Sequence, residues 1–378
     1  MIVKNTNPFP VSGYHGSELF CDREKEIKSL IRNIENGVNT TLISIRRMGK
    51  TGTILHLFEE LKHENELNCI YVDLYATRTF KDLTENIALS IHNAIPENKS
   101  LGKRFMKILK SLNPILSFDS LTGNPELHFE YAQPKQYEYS LSALFKFLDM
   151  QQKTIVFAMD EFQQIATYPE TNTEAILRTQ FQHLKNIRFI FSGSNKHLIN
   201  EVFSSSKRPF FGSTQMLSLS NIPQKKYLSF IKSKFELSKR AISDEALAFI
   251  ADWTKLHTFY TQALCNRIFA NKYHKIGIGE VKESCAQILI ENEASYYQFR
   301  NLLTPLQWQF LKAIAKEEKV FQPNSKHFIQ KYQLGTQANA QRALTSLINK
   351  EMIYQGNDDN KSYYAVYDCF LMRWLQHK

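Results

Sequence analysis

The chain contains no stretch approaching the ~20 consecutive apolar residues that a membrane span needs, and Met1 to Tyr14 lack the basic-then-apolar layout of a secretory leader. A cytosolic protein with no membrane partner is therefore expected. Cysteine is sparse as well: Cys21, Cys69, Cys265, Cys285 and Cys369 are scattered, odd in number and without paired spacing. That pattern argues against a disulfide framework and against a zinc site, and predicts buried thiols. Compositional bias is also lacking, since 43% hydrophobic and 22% charged residues over 378 positions exclude a disordered or fibrous chain and leave room for two or three domains. Charge of one sign is only in modest excess. The net +10 permits an acidic partner such as nucleotide or nucleic acid, but a lysine-rich solvated surface gives the same figure, so charge alone decides nothing.

One glycine is missing from an otherwise familiar pattern. Thr40 to Leu61 reads as a short apolar strand, then Ser44-Ile45-Arg46-Arg47-Met48-Gly49-Lys50-Thr51, then an amphipathic helix; Ser44 stands where a phosphate-binding loop usually opens with glycine. A tight turn between strand and helix aims backbone N–H groups and the positive helix end at one point, which suits a polyphosphate. Gly49 lets the backbone approach, Lys50 reaches the β- and γ-phosphates, the Thr51 hydroxyl ligates Mg²⁺, and Gly52 keeps the first helical turn free of bulk. A Gly-Lys-Thr triplet by itself also fits a basic surface turn. Context favours the loop, because Leu42, Ile43 and Ile45 supply the strand while Ile54, Leu55, Phe58 and Leu61 recur at helical spacing.

A second feature lies downstream. Thr154 to Met159 is a continuous apolar run that suits a strand buried on both faces of a parallel sheet, and it ends in Asp160-Glu161. Carboxylates at that strand end stand beside a phosphate loop: Asp160 to hold Mg²⁺ through its water shell, Glu161 to accept a proton from an attacking water. A solvated strand end is the plainer alternative. Further strands are expected at Cys69–Leu74, Ile187–Ser192 and Gln215–Leu219. Ser194 or Asn195 would face the γ-phosphate unless they cap the next helix, and Arg208 is a candidate charge-stabilising arginine, though such loop arginines commonly face solvent.

Around these strands, a helix capped by Asp22 carries Ile27, Leu30, Ile31 and Ile34, and another carries Leu83, Ile87, Ile91 and Ile95 before Pro96. Residues 97–136 interrupt the alternation with a basic helical piece and a β-hairpin across Thr122-Gly123-Asn124-Pro125. The expected division is a core at 1–221, a wholly helical lid at 222–298, and a winged helix-turn-helix at 299–378. In the last, strands Met352–Tyr354 and Tyr363–Val366 flank a Gly356–Asn360 turn. Residues 300–378 hold 11 Lys and Arg against 6 Asp and Glu. The third helix there turns only Arg342 among cations outward, with Asn339, Gln341, Thr345, Ser346 and Asn349, so nucleic acid is a permitted but not favoured partner.

Arg23-Glu24, the Arg46-Arg47-Met48-Gly49-Lys50-Thr51 loop, Asp160-Glu161, Gly193-Ser194 and the terminal Tyr364-Ala365-Val366-Tyr367-Asp368-Cys369-Phe370-Leu371-Met372-Arg373-Trp374 together resemble the archaeal-type P-loop ATPases, relatives of the AAA+ and STAND ATPases. The resemblance implies an α/β fold with a five-stranded parallel sheet in the order 5-1-4-3-2, a helical lid and a C-terminal winged helix. It places Phe20 to Ile27 beside the adenine, and adds Arg23, Arg46, Arg47, Met48 and Ser194 to the nucleotide-binding residues. His257 falls at a lid motif where Gly and Pro are replaced by Leu256 and Thr258, and reads better as a helix-start histidine than as a sensor. The activity implied is an ATP-hydrolysing switch using ATP and Mg²⁺, slow without a protein partner and compatible with an oligomer. The alternatives are a module that holds nucleotide with negligible hydrolysis, and a DNA-bound regulator tuned by nucleotide.

Overall fold

The computed structural model describes residues 7–62, 67–95, 100–112, 114–118, 125–129, 134–358 and 361–378. The chain divides into two compact units, Gly13–Ser220 and Met1–Ser12 with Asn221–Lys378. No described helix is long and apolar enough to cross a membrane.

The first unit alternates strand and helix: α1 (Glu24–Glu35), β1 (Thr40–Ile43), α2 (Lys50–Leu61), β2 (Leu67–Asp73), α3 (Phe80–Ala94), α4 (Ser100–Ser111), β3 (Pro114–Phe118), β4 (Pro125–Phe129), α5 (Pro134–Asp149), β5 (Thr154–Asp160), α6 (Thr173–Phe181), β6 (Ile187–Gly193), α7 (Lys196–Ser204) and β7 (Gln215–Ser218). Five strands form one parallel sheet in the order β2-β5-β6-β1-β7. Numbering those strands one to five along the chain, the order is the expected 5-1-4-3-2. β5 shows why its apolar run does not alternate with polar residues. Ile155, Phe157 and Met159 enter one core with α3, α5 and α6, while Val156 and Ala158 enter the other with Ile27, Leu30, Ile54 and Phe58 of α1 and α2. The expected hairpin is present as the antiparallel pair β3–β4; its turn, 122–124, lies outside the described residues, as does Pro96. The hairpin is tied to α3 where Glu85 accepts the Phe129 amide at 2.7 Å.

α1 corrects one expectation. Asp22 does not cap it: Asp22 and Arg23 both take left-handed backbone conformations (φ 63° and 78°), the helix starts at Glu24, and the turn buries the Arg23 side chain.

The second unit contains α8 (Gln224–Leu237), β8 (Ala241–Ile242), α9 (Asp244–Thr254), α10 (Thr258–Ala270), β9 (Lys275–Ile276), α11 (Ile278–Asn301), α12 (Pro305–Glu317), α13 (Lys326–Lys331), α14 (Gln337–Asn349), β10 (Ile353–Asp358), β11 (Lys361–Val366) and α15 (Cys369–Gln376). Its first half is not wholly helical, because β8 and β9 pair in parallel; two-residue strands are too short to leave a period in the sequence. The wing also differs from expectation. Gly356, Asn357 and Asp358 belong to β10 rather than to a turn, and Gly356 is needed there because a Cβ would come 2.4 Å from the Tyr363 ring. Asp359 and Asn360 lie outside the described residues.

Residues 7–12 fall in this second unit, not in the 1–221 core expected from sequence. The reason is burial: Phe9 is fully enclosed, with ring centroids 4.8 Å from Phe235 and 6.2 Å from Phe269, and Asn266 donates to its carbonyl at 2.7 Å. Lid and winged helix share one compact unit because α15 packs on α9. Arg373 donates to the carbonyls of Trp253 at 2.8 Å and Asp252 at 2.7 Å, and Phe370 packs against Trp253 and Tyr260.

Candidate functional site

The site forms at the carboxyl ends of β1, β5 and β6, which neighbour one another in the sheet. β1 ends at Ile43, and the chain turns through Ser44–Gly49 into α2. Two positive-φ residues shape that turn, Arg47 at 61° and Gly49 at 95°; the latter is the helix N-cap, where glycine avoids the strain of a left-handed conformation. Met48 is buried beneath the loop, while Arg46 and Arg47 lie on its exposed side. Lys50, first residue of α2, is 5% exposed, and its Nζ donates to Ser44 O (3.3 Å), Ser44 Oγ (3.1 Å) and Ile45 O (3.2 Å). Burial pushes its ammonium down to about 8, against the opposing pull of Glu161 and Asp160.

Opposite the loop, Asp160 is buried and fully engaged. Its Oδ2 accepts from Thr51 Oγ1 at 2.5 Å and from Tyr71 OH at 2.8 Å; its Oδ1 accepts from the Glu161 amide at 3.0 Å and from Ser192 Oγ. Thr51 and Asp160, both expected to hold a metal, are thus in direct contact. Glu161 leaves the strand in a left-handed conformation (φ 54°), and its Oε2 accepts from Ser194 Oγ at 2.7 Å, Ser194 N at 3.3 Å and Gln163 Nε2. Asn195 caps α7, accepting the Leu198 amide at 3.1 Å, so the capping alternative describes it.

Other expected site residues are used differently. Arg23 is 2% exposed and grips backbone: Nη2 donates to Met48 O at 3.1 Å, and Nη1 to Ser220 O at 2.7 Å and Glu26 at 3.1 Å. It braces the phosphate loop against the end of the β7 segment. Arg208 is committed to Glu174 at 2.9 Å and to Glu201. Gly52 faces Phe20, whose ring a Cβ would meet at 3.4 Å; Phe20 stacks on His56 with centroids 4.3 Å apart, and Tyr14 bonds the same imidazole at 2.7 Å. In the other unit, His257 is a buried residue at the start of α10, with its ring 4.7 Å from Tyr260.

Tyr71, Ser192 and Gln163 escaped the sequence reading. Tyr71 and Ser192 sit inside apolar strands, where a polar residue facing a strand-end carboxylate was the available signal. Gln163 is recognisable only through Gly193, because a Cβ on Gly193 would lie 2.4 Å from its Oε1.

The residues present suit a Mg²⁺–nucleotide. A buried cation stands at a helix N-terminus, and a threonine hydroxyl touches a buried carboxylate, the donor set of a metal that keeps most of its ligands from water and phosphate. That requirement is met although no cluster of three metal-ligating side chains occurs among the described residues.

Sheet order, loop and strand-end carboxylate together define the P-loop ATPase fold, here with a C-terminal winged helix domain. A family model described as a probable winged helix domain matches residues 294–377. Among solved structures, a Walker-type ATPase of Pyrococcus abyssi is similar over 98% of this chain and 99% of its own, with a TM-score of 0.67 and 19% identity. The Aeropyrum pernix ORC2 protein, in its ADPNP–ADP complexes, is similar over 99% of this chain and 97% of its own, with a TM-score of 0.60 and 13% identity. No curated protein matches the chain in sequence. At such identities the likeness establishes the fold.

Proposed function

We propose that the protein is a cytosolic, Mg²⁺-dependent ATP-binding and ATP-hydrolysing switch of the AAA+/STAND-like class. The observation that carries this reading is the 2.5 Å contact of Thr51 Oγ1 with Asp160 Oδ2 beside the buried Lys50. Bound Mg²⁺ would supply charge neutralisation on the β- and γ-phosphates. Lys50 leaves the Ser44 and Ile45 oxygens to pair with those phosphates, and the loop amides around Gly49 add donors. Thr51 contributes its hydroxyl to the metal, and Asp160 holds the metal's water shell, kept in place by Tyr71 and Ser192. Glu161 is the general base, with Ser194 and Gln163 fixing Oε2 and leaving Oε1 to take the proton of an attacking water. Arg23 acts on nucleotide indirectly, through Met48. Charge stabilisation by Arg208 would require it to leave both Glu174 and Glu201.

We assign nucleotide reading to the core and output to the lid and winged helix, which the α15–α9 contact makes one body. A protein partner would take that output, and an oligomer is compatible with it. A second reading, nucleotide held with negligible hydrolysis, is favoured by one observation: Ser44 Oγ accepts from Lys50 Nζ at 3.1 Å, an anchor that glycine at this position cannot provide. Calorimetry with ATP, with and without Mg²⁺, followed by steady-state phosphate release with and without duplex DNA, tests these readings. Mg²⁺-dependent binding with turnover supports the first, binding without turnover the second, and no binding refutes both.

A further inference from the structure

Asp160 is saturated with donors. An ionised carboxylate offers about four acceptor positions, two on each oxygen, and each is occupied: Thr51 Oγ1 at 2.5 Å and Tyr71 OH at 2.8 Å on Oδ2, the Glu161 amide at 3.0 Å and Ser192 Oγ on Oδ1. Tyr71 differs from the other two residues that do not touch the metal, Glu161 and Ser192, because it shares Oδ2 with Thr51, the residue assigned to the metal. The sheet sets how the phenol arrives there. Tyr71 on β2 pairs with Ala158 on β5, and Asp160 lies two residues beyond Ala158 on the same face. Ala158 is fully buried and ends at Cβ, which leaves room for the Tyr71 ring to lean along the sheet toward the carboxylate one pleat further on. The ring packs at the edge of the core formed with α1 and α2, which a phenylalanine ring would do equally. What tyrosine adds is the hydroxyl on Asp160. Asp73, opposite Asp160 in the register, accepts the Tyr75 amide on Oδ1 at 2.9 Å.

We propose that Tyr71 sets the metal preference of the site, favouring Mg²⁺ over Ca²⁺ by closing the metal-facing oxygen of Asp160 to direct coordination. The proposal rests on the nucleotide-binding reading above and extends it. A hydroxyl that gives a lone pair to a metal still has its hydrogen to donate, so Thr51 serves the metal and keeps its bond to Oδ2. With Tyr71 on the remaining position, that oxygen has none left for an inner-sphere bond, and Asp160 acts through bound water. Such a carboxylate suits Mg²⁺, which dehydrates reluctantly and demands a small octahedral shell. It does not suit Ca²⁺, which gathers about six to eight oxygens and takes carboxylates directly. Tyr71 thus discriminates by withholding a ligand.

Calorimetric titration of the full chain with the β,γ-imido analogue of ATP, at saturating Mg²⁺ or saturating Ca²⁺, tests this in wild type, Tyr71→Phe and Tyr71→Leu. Wild type should bind the Mg²⁺ complex at least ~10-fold more tightly than the Ca²⁺ complex. In Tyr71→Phe that ratio should shrink roughly 10-fold, the lower end of the range for changing an outer-shell partner of a metal ligand, chiefly because affinity for the Ca²⁺ complex rises. Tyr71→Leu, which lacks the donor but keeps an apolar body, should repeat the shift, so the outcome does not depend on the folding of one variant. Asp73 is the same in all three proteins, so the change in ratio reports the phenol. A purely structural role for Tyr71 would weaken both complexes together, or lower the melting temperature of the ligand-free protein with the ratio unchanged; either result would overturn the proposal, as would equal affinity of wild type for the two complexes. Failure of wild type to bind the analogue with either metal would instead overturn the nucleotide-binding reading itself.

Discussion

Replacing Lys50 by alanine should have opposite consequences for stability and for binding. In the ligand-free protein the ammonium is 5% exposed, and its titration midpoint moves from the ordinary 10.5 to about 8. Because the unfolded chain holds this proton more tightly than the folded one, Lys50 costs stability wherever it is charged in the native state. The cost is on the order of 3 kcal/mol below pH ~8 and fades as pH rises toward ~10.5. Alanine removes that cost, but also the three hydrogen bonds to Ser44 O, Ser44 Oγ and Ile45 O, worth about 1 kcal/mol each. The two nearly cancel, so the ligand-free variant should melt within a few degrees of wild type at pH 7. Binding behaves otherwise. At ATP concentrations of about 100 times Kd, wild type gains about 2.7 kcal/mol, which is roughly 5–10 °C for a unit of about 200 residues. A 100-fold weaker variant gains about 0.4 kcal/mol, a shift of about 1 °C. Differential scanning calorimetry with and without Mg²⁺–ATP reads both effects. A variant that keeps the full ATP-dependent shift would refute the phosphate-loop assignment, and one that unfolds without ligand would refute the near-cancellation.

Glu161→Gln should retain nucleotide affinity and lose at least ~10²-fold in single-turnover hydrolysis, since the amide keeps size but cannot accept the proton; unchanged turnover would remove Glu161 as the base. Gly193→Ala should destabilise by about 1–3 kcal/mol in urea denaturation, because the new Cβ meets Gln163 Oε1 at 2.4 Å and Ile199 Cδ1 at 2.9 Å; a neutral result would show that Gln163 moves freely. Duplex DNA should bind the protein weakly if at all, with micromolar or poorer affinity near physiological salt. α14 presents Gln341, Arg342 and Thr345 to solvent, with Arg342 the sole cation among its exposed recognition-face residues, and Lys319, which follows α12, is paired with Asp358 of the wing strand β10 at 2.6 Å. A mobility assay checks this on the full chain. The isolated 302–378 fragment would expose the faces of Phe370 and Arg373 that pack on α9, and sub-micromolar, sequence-dependent binding by the full chain would overturn the expectation.

Much of the fold was legible in local pattern. The doubly buried strand at Thr154–Met159, the helical spacing in α1, α2 and α3, and the Gly-Lys-Thr turn each follow from residue type and period. Those features express constraints satisfied within a dozen neighbouring residues. The shared sheet end that brings Thr51 onto Asp160 followed from the order of the strands, because parallel βαβ connections leave few arrangements. Where polar side chains spend their hydrogen bonds was decided elsewhere. Arg23 carries the look of a nucleotide ligand but is held by two carbonyls far apart in the chain, Met48 and Ser220, and Arg208 is held by Glu174 and Glu201. Besides Thr51, the side-chain partners of Asp160 come from β2 and β6, as Tyr71 and Ser192, and the meeting of those strands' ends is set by the sheet. Residues 7–12 joined the second unit because Phe9 found an aromatic enclosure there, which no local period announces. Periodicity records which face of an element is buried; what that face meets depends on contacts between residues distant in sequence, and these exist only once the chain has packed.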